Sequence, residues 1–186
     1  MMITKFAVVD IETTHTNSTE GTIVEVGICC VDLENKKFIK LLDTIVREPN
    51  FKNYNAWIFD NSSLTIEDVL NAPEWVEIQP KIIEIFKRFP VTAYRKLFDF
   101  TWLKHRGVYT VKELPDPMLE STNILKLSQL NPELGEYKWP KVEECWQYYF
   151  PNIPYRERHR AYDDCIHEAA IIYEMYRRGH YILEIE

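Results

Sequence analysis

The sequence has few cysteines and few glycines, and it has no long apolar run. Only four cysteines occur among 186 residues, and none forms the CxxC spacing of a zinc site. No apolar stretch approaches the roughly 20 residues that a transmembrane helix requires, and the MMITKF start lacks the charged beginning and apolar core of a secretory signal. We therefore expect a cytoplasmic protein without membrane spans, whose cysteines are buried and reduced.

The chain also lacks an excess of positive charge. Its formal net charge is −7 at pH 7, which argues against a protein that coats nucleic acid by bulk attraction alone. The positive side chains are nevertheless grouped along the sequence, around Arg95, Lys104 and Arg158. Such groups are usually solvated surface, and the alternative is a local site for phosphates. The charge pattern does not decide between these two interpretations.

Apolar and aromatic residues are abundant enough for one globular domain that spans residues 1–186. Hydrophobic residues make up 46% of the chain and aromatic residues 13%, without a linker, repeat or low-complexity tract. Four segments have the composition of strands, and the first three of them predict an antiparallel meander: 5–10, 23–32, 38–46 and 91–94. Strands followed by alternating elements indicate an α/β fold with a central mixed sheet flanked by helices.

Helical spacing of apolar residues predicts most of the remaining elements, over 64–70, 75–89, 98–106, 122–130, 142–150 and 160–178. Thr65 is the predicted N-cap of the first of these helices, and Pro80 is expected to kink or split the second. Residues 108–120 are predicted to be irregular. The C-terminal YILEIE is an edge-strand candidate for the body or for a second subunit, which leaves the oligomeric state open.

Acidic residues lie at the edges of the predicted buried elements. Asp10 and Glu12 are two residues apart at the end of the first strand, so both side chains leave the same face of the sheet. Asp99 follows the VTAY strand, inside the start of a helix, where the helix dipole ordinarily favours an aspartate. Taken alone, each position also has an ordinary structural explanation.

Helical geometry separates the two aspartates of the HRAYDDC segment, residues 159–165. The predicted apolar stripe of the last helix passes through Ala161, Cys165, Ala169, Ile172 and Tyr176. At about 100° per residue, Asp163 lies about 160° from Cys165 and faces water, whereas Asp164 lies about 100° from it, where the helix meets the sheet. Asp164 is therefore the better functional candidate. His159 either reaches the same margin or has a capping or surface role.

Acids packed near one sheet repel one another unless cations neutralise them. Oxygen ligands favour hard ions such as Mg²⁺ or Mn²⁺ over zinc. Two such ions about 4 Å apart promote phosphodiester cleavage, because they help to generate hydroxide and stabilise charge on the attacking and leaving oxygens. A nearby histidine is suited to take the proton of the attacking water.

Three segments in this order, FAVVDIETT, AYRKLFDFTWL and HRAYDDC, resemble the exonuclease motifs of the DnaQ-like, or DEDDh, 3′-to-5′ exonuclease superfamily, which has a ribonuclease H-like fold. The resemblance spans residues 5 to about 175 and includes LTIEDVLNAPEW and KWPKVEECW. It implies that His159 is the general base and that two divalent cations, Mg²⁺ or Mn²⁺, are bound by Asp10, Glu12, Asp99 and Asp164. In the HxAxxD pattern, Asp163 lies outside the ligand set.

The sequence departs from the family pattern near the expected substrate. His15 and Thr16 stand where a Gly-Leu pair is usual, and the second motif lacks the common HNAxFD pattern. Thr13, Tyr94 and Phe98 are expected to line the pocket for the terminal nucleotide, with simple packing as the alternative for each. None of these departures removes an expected metal ligand.

The favoured hypothesis is a metal-dependent 3′-to-5′ exonuclease that releases nucleoside 5′-monophosphates from a single-stranded 3′ end of DNA or RNA by two-metal-ion catalysis. The alternative is a nucleic-acid-binding or partner-binding module of the same fold without efficient turnover. A polymerase or repair partner would have to be recruited in trans. The sequence does not distinguish DNA from RNA, because that choice depends on contacts to the 2′-hydroxyl.

Overall fold

A computed structural model describes residues 3–52, 54–131 and 136–185 of the chain. Its main sheet has the strand order β3-β2-β1-β4 and consists of β1 (Lys5–Thr13), β2 (Ile23–Asp32), β3 (Lys37–Ile45) and β4 (Val91–Thr92). The β1–β2 and β2–β3 pairs are antiparallel, whereas β4 pairs with β1 in parallel. The sheet is therefore mixed, and its first three strands form the predicted meander.

The helices of the described residues are α1 (Trp57–Asn61), α2 (Ile66–Leu70), α3 (Trp75–Arg88), α4 (Lys96–His105), α5 (Pro117–Leu125), α6 (Val142–Tyr149) and α7 (Ala161–Arg177). A small separate ribbon pairs β5 (Gln129–Asn131) with β6 (Glu136–Tyr137). Within the described ranges, no helix combines the length and the apolar character that crossing a membrane would need.

Capping residues place several helix ends where the sequence predicts them. The Thr65 hydroxyl accepts a hydrogen bond from the N–H of Asp68, and the Asp68 carboxylate accepts the Thr65 N–H, so a complete capping box precedes α2. Gly107 (φ +76°) and Gly179 (φ +73°) follow α4 and α7 in the left-handed conformation that ends helices. These caps confirm the predicted N-terminus of α2 and the predicted ends of α4 and α7.

The predicted bounds between residues 108 and 130 are wrong, because α5 runs from Pro117 to Leu125. The carboxylate of Asp116 accepts the N–H of Met118 at 2.9 Å and caps this helix. Pro117 occupies the first turn, where a backbone N–H has no partner within the helix in any case. Part of the segment predicted to be irregular is thus the start of a helix.

Three smaller predictions also need correction. Pro80 lies inside α3 without splitting it, so only the split is wrong, and β4 ends at Thr92 because the chain turns to begin α4 from Arg95. Residues 182–185 form no strand, whereas Glu186 lies outside the described residues. The C-terminal segment is instead held by Tyr181, whose buried ring sends its hydroxyl to the carbonyl of Pro115 at 2.6 Å.

Alternate side chains of β1 enter two different cores. Phe6 and Val8 pack in the core that α6 and α7 share, whereas Ala7, Val9 and Ile11 pack in the core that contains α3 and α4. The sheet therefore has helices on both faces. All four cysteines are buried and unpaired.

The apolar stripe of α7 faces the sheet as predicted over its first three turns, with Ala161, Cys165, Ala169 and Ile172 buried. The prediction for Tyr176 is wrong, because this residue is 38% exposed and Met175 takes its place in the core. The buried face of α7 also includes Asp164, Glu168 and Met175, so it is centred nearer these residues than the predicted stripe, and Tyr176 lies at its margin.

Gly27 brings the start of α7 against the sheet. A Cβ atom at this position of β2 would lie 2.4 Å from the backbone of Ala161, so no larger residue fits without moving the helix. Gly27 is also paired with Asp10 across the β1–β2 register. The glycine therefore sets the first turn of α7 beside the acidic end of β1.

Candidate active site

The acidic positions that the sequence singles out come together where β1 ends and where α4 and α7 begin. Asp10 and Glu12 lie on β1, and the buried Asp99 and Asp164 lie in the first turns of α4 and α7. The negative charges of Glu12, Asp99 and Asp164 all raise the pKa of Asp10. One oxygen each of Glu12 and Asp164 and one ring nitrogen of His159 lie within 4.8 Å of one another.

The position of Asp99 is set by the backbone turn at the start of α4 and by a hydrogen bond from β1. Arg95 precedes α4 with a left-handed φ of 62°, which is uncommon for a residue other than glycine. The N–H of Ile11 then donates to Asp99 Oδ1 at 3.2 Å, which ties the first turn of α4 to β1. A hydrogen bond between residues so far apart in sequence holds the second motif against the first.

Asp164 is held by three hydrogen-bond donors from the segment before α7. The Tyr155 hydroxyl donates to Oδ1 at 2.8 Å, and the backbone N–H groups of Arg158 and Arg160 donate to Oδ1 and Oδ2 at 3.2 and 3.0 Å. Asp163, by contrast, is only partly exposed and not fully in water as predicted: its Oδ2 is buried without a hydrogen-bond partner among the described residues, and its ion pairs with Arg158 and His167 are long, at 3.9 Å. The two adjacent aspartates thus have different environments, as the helical geometry predicts.

Glu25 anchors the segment that carries the histidine. Its buried carboxylate accepts hydrogen bonds from Nε and Nη2 of Arg160 at 2.7–3.0 Å and from the N–H of Ala161 at 3.1 Å. His159 has a left-handed φ of 53°, and its ring meets the edge of Trp57 with centroids 4.7 Å apart. Strained backbone of this kind persists only where the surroundings hold it.

Burial and mutual repulsion raise the pKa of several of these carboxyl groups. For Asp10 the chief cause is burial and the next is the charge of Glu168; for Glu12 burial is followed by the charge of Asp164. Burial also raises the pKa of Asp99, although the N–H of Ile11 favours its charged form. Asp10 Oδ2 is buried without a hydrogen-bond partner among the described residues. Crowded oxygen donors with an unpartnered atom are the environment that a hard divalent cation fits.

An open cleft of about 680 Å³ exposes this group of acids to solvent. Its lining includes Asp10, Glu12, Asp99, His159 and Glu168, as well as the aromatic residues Trp57, Tyr94, Phe98 and Trp139. Asp164 lies behind this wall, within reach of Glu12 and His159. The cleft therefore combines a charged floor with aromatic sides.

The three residues expected near a nucleotide all line the cleft, in different ways. Thr13 donates its hydroxyl hydrogen bond to the carbonyl of His15 at 2.8 Å. Tyr94 is 7% exposed, and its hydroxyl is 2.8 Å from the carbonyl oxygen of Pro140, to which it donates. Phe98 is half-buried and tilts against Trp102 with ring centroids 6.0 Å apart. Phe98 thus has more ring surface open to a ligand than Tyr94.

A second cleft, of about 1180 Å³, adjoins the first, and its lining carries both signs of charge, with the basic residues Lys141, Arg156, Arg158 and Arg160 beside Glu25, Asp43, Glu143, Glu157 and Asp163. The two clefts share Trp57, Lys141, Glu157 and His159, and Arg156, Arg158 and Arg160 line only the second. Of the other positive residues, Arg95 lines the acidic cleft, whereas Lys104 lines neither. Arg106 donates hydrogen bonds to the carboxylate of Glu48 and to the carbonyls of Ser18 and Gly21, so its role is structural.

Sequence reasoning missed Trp57, Tyr155, Glu157 and Glu168. Glu168 has a detectable signal, because it follows Asp164 by one helical turn and so shares its face of α7. Burial, followed by the charges of Asp164 and Glu143, raises the pKa of Glu157 to about 7. Trp57 and Tyr155 lie in segments without a strong pattern, and only the tertiary structure brings them to the site.

The comparison with protein families decides what this site belongs to. The sequence profile of the RNase_T family, described as an exonuclease family, matches residues 7–172, which include the second and third motifs and all of the first except Phe6. The chain belongs to the RNase_T exonuclease family. This result confirms the resemblance to DnaQ-like, DEDDh exonucleases and makes the chain an exonuclease domain by family.

Curated relatives of this RNase_T chain include two bacterial polymerases. DNA polymerase III PolC-type from Caldanaerobacter subterraneus subsp. tengcongensis is 27% identical over 172 residues, and the enzyme of the same name from Clostridium perfringens is 27% identical over 168 residues. These matches cover 92% and 90% of this chain. They span only 11% of each polymerase, so the chain corresponds to a small part of those proteins.

Solved structures show the same fold at low sequence identity. The nuclease domain of 3′hExo, described as a DEDDh family member bound to rAMP, has a TM-score of 0.72 and 15% identity, covering 99% of this chain and 96% of that one. E. coli exonuclease I in complex with a dA16 oligonucleotide has a TM-score of 0.70 and 14% identity, over 94% of this chain and 41% of that one. The ribonuclease H-like α/β fold with a central mixed sheet is thereby confirmed.

Proposed function

We propose that residues 1–186 form one metal-dependent exonuclease domain that removes nucleoside 5′-monophosphates from single-stranded 3′ ends of DNA or RNA. The observation that carries this proposal is the position of Asp10, Glu12, Asp99 and His159 on the floor of one open cleft, with Asp164 directly behind. In the described part of the chain, no lysine or arginine forms an ion pair with any of these four carboxylates. A cluster so poorly neutralised by the protein itself suits cationic cofactors.

Asp10, Glu12, Asp99 and Asp164 would hold two divalent cations, Mg²⁺ or Mn²⁺. The ions would supply an activated water and neutralise charge on the reacting phosphate. Oxygen donors alone favour these hard ions over zinc. The unpartnered Oδ2 of Asp10 supports this assignment, because a buried carboxylate oxygen without a donor is costly unless a ligand completes it.

His159 would act as the general base that takes the proton of the attacking water. Its ring borders both clefts and lies close to Glu12 and Asp164. The edge contact with Trp57 and the Arg160–Glu25 anchor restrict where the ring can move. A base that is held in this way needs little reorganisation before it accepts a proton.

The aromatic sides of the cleft would bind the terminal nucleotide by stacking. Trp57 and Trp139 are 58% and 57% exposed, so each offers a ring face that the protein does not cover. Phe98 adds a third ring, whereas Thr13 and Tyr94 would shape the pocket from within. Stacking accepts any base, and it requires that the base be unpaired, which supports a single-stranded 3′ end as the substrate.

Two arginines of the cleft next to the site would contact the following part of the strand. Arg156 and Arg158 line this cleft beyond His159, and contacts to phosphates position a strand without reading its sequence. Individual arginines would supply these phosphate contacts in a chain whose net charge of −7 does not attract nucleic acid by itself. Arg95, which lines the acidic cleft, would contact a phosphate near the terminal nucleotide.

The names of similar proteins suggest both kinds of substrate. The curated relatives are DNA polymerases, which supports DNA as a substrate and an association with a polymerase, whereas one similar structure describes recognition of a histone mRNA stem-loop by a 3′-exonuclease. The proposal therefore covers DNA and RNA.

The four buried, unpaired cysteines agree with the proposed cytoplasmic location, where thiols stay reduced.

A gel time course with 5′-labelled single-stranded DNA and RNA in Mn²⁺, Mg²⁺ or EDTA tests the proposal. We expect a ladder that shortens from the 3′ end only when metal is present. Asp164→Asn and its neighbour Asp163→Asn form a matched pair, of which only the first is expected to abolish shortening. Intact oligonucleotides under every condition would contradict the proposal, and their retention by the protein would instead support a binding module without turnover.

A further inference from the structure

Glu168 is a buried carboxylate that the four-acid motif does not include. It lies on α7 one turn after Asp164 and is 3% exposed. It lines the same cleft as Asp10, Glu12 and Asp99, so its burial is against the site and not within an apolar core. Two residues four apart on a helix share a face, which directs Glu168 and Asp164 toward the same group of acids.

The carboxylate of Glu168 is incompletely satisfied by the protein. Its Oε2 is buried without a hydrogen-bond partner among the described residues, and burial together with the charges of Asp99, Glu157 and Asp164 raises its pKa, although the backbone N–H of Tyr94 favours its charged form. In the ranges that the structure describes, no lysine or arginine forms an ion pair with Glu168. An unpartnered charged oxygen at this depth is strongly unfavourable unless a ligand completes it.

The charges around Glu168 Oε2 indicate which kind of ligand would bind there. The acids that act on Glu168 are Asp99, Glu157 and Asp164, and Glu168 in turn is the neighbour whose charge acts most strongly on Asp10. Asp10 Oδ2 is also unpartnered. A third such oxygen among the described residues, Asp163 Oδ2, belongs to the neighbouring cleft and not to this one. The two buried, unpartnered carboxylate oxygens of the acidic cleft suit a hard divalent cation and disfavour an anion or an apolar group.

We infer that Glu168 is a fifth carboxylate of the divalent-cation site, on the side of Asp10 and Asp99, and that it strengthens cation binding before nucleic acid arrives. This inference rests on the proposed function. A fifth negative charge lowers the stability of the metal-free protein and raises its affinity for a cation. Removing this charge should therefore stabilise the metal-free protein and weaken cation binding.

The test measures binding of Mn²⁺ alone to the whole chain, by electron paramagnetic resonance of the free ion, together with melting temperatures in EDTA. Glu168→Gln keeps the shape and removes the charge. We expect it to weaken Mn²⁺ affinity roughly 10- to 100-fold and to raise the melting temperature in EDTA. Glu174→Gln is the matched control on the same helix, because Glu174 pairs with Arg177 and Arg178 outside the site, and it is expected to keep wild-type affinity.

Further variants separate the possible outcomes. Glu168→Asp keeps the charge and is expected to retain more affinity than Glu168→Gln, which guards against a general packing effect. If Asp10→Asn abolishes Mn²⁺ binding and Glu168→Gln leaves it unchanged, Glu168 is no ligand and the inference is overturned while the proposed function stands. If neither variant changes Mn²⁺ binding, the proposed metal site fails as well.

Discussion

Both ends of the β1–β2 strand pair hold carboxylates with little contact with solvent, but only one end provides them with hydrogen-bond and ion-pair partners. At one end Asp32 lies across from Lys5 and forms an ion pair with it at 2.9 Å. Asn35 donates to Asp32 from its backbone and its side chain. At the other end Asp10 and Glu12 face further acids, and Asp10 keeps an oxygen without a partner.

The same difference appears in the pKa shifts. Hydrogen bonds from Asn35 and Lys5, with the charge of Lys5, hold the pKa of Asp32 well below its usual range. Burial and neighbouring acids raise the pKa of Asp10 and Glu12. A buried carboxylate by itself therefore indicates nothing about function. The difference lies in whether the protein supplies the partners or leaves them to a ligand.

The largest effect is expected from exchanging one aspartate at each end for asparagine. Asp10→Asn should reduce exonuclease activity at least about 1,000-fold, as removal of a group that acts on the reacting atoms does, and it should raise the melting temperature in EDTA by relieving repulsion. Asp32→Asn should keep the activity and lower the melting temperature, because Lys5 and Asn35 lose a charged partner. Equal effects of the two variants on both measurements would remove the distinction between the ends.

The next effect separates the base from the metal ligands at the acidic end. His159→Ala should lower turnover roughly 100- to 10,000-fold, the usual contribution of a general base. Mn²⁺ binding should persist, because the carboxylates remain. Single-turnover rates at saturating metal and calorimetric titration with Mn²⁺ measure the two quantities separately. Loss of Mn²⁺ binding would show that His159 is itself a ligand, which its distance from Glu12 and Asp164 allows.

A smaller effect is expected at Gly27, where the acidic end of the β1–β2 pair contacts the start of α7. Gly27→Ala places a Cβ against the backbone of Ala161 and should destabilise the protein by about 1–3 kcal/mol, the usual cost of overpacking. Activity should fall as well, since α7 carries Asp164. Denaturant unfolding and the gel assay provide the two readouts. A variant with wild-type stability and activity would show that the start of α7 is free to shift away from the sheet.

The smallest effect is the dependence of stability on pH without metal. The acidic end holds its protons more tightly in the folded protein than in the unfolded chain, so stability is lost as pH rises through the raised pKa values. For Glu157 this window runs from about 4.5 to about 7. The contribution of Asp32 has the opposite sign and is lost only as pH falls below its unfolded pKa.

Melting temperatures in EDTA should therefore fall between pH 5 and pH 8, and saturating Mn²⁺ should reduce this fall. In the same range Asp32 stays ionised in both states and contributes a constant amount. A melting temperature in EDTA that rises steadily from pH 5 to pH 8 would contradict the raised pKa values of the acidic end.

The sequence predicts the parts of this account that depend on local periodicity. The strand ends place Asp10 and Glu12 on one face, and the helical wheel separates Asp164 from Asp163, in agreement with their burial and contacts. The meander and the Thr65 cap follow from alternation and from a short-range side-chain pair. Each of these features depends on residues within one or two turns of one another.

The features that the sequence does not predict depend on contacts between distant segments. Trp57 meets His159, and Tyr155 donates to Asp164, only after the chain has folded. The left-handed backbone of Arg95 and His159 is absent from any pattern of residue types, since neither residue is a glycine. The start of α5 at Pro117 lies inside the segment 108–120 that is predicted to be irregular, because prolines occur both in loops and in first helical turns.

The most direct test of the central claim is the change in melting temperature that Mn²⁺ causes at neutral pH, measured for the wild type, Asp10→Asn and Asp32→Asn. A ligand at 100 times its Kd stabilises a folded protein by about 2.7 kcal/mol. We expect Mn²⁺ to raise the melting temperature of the wild type and of Asp32→Asn, and to have little effect on Asp10→Asn. An equal rise in all three proteins, or none in the wild type, would contradict the assignment of the acidic end as a divalent-cation site.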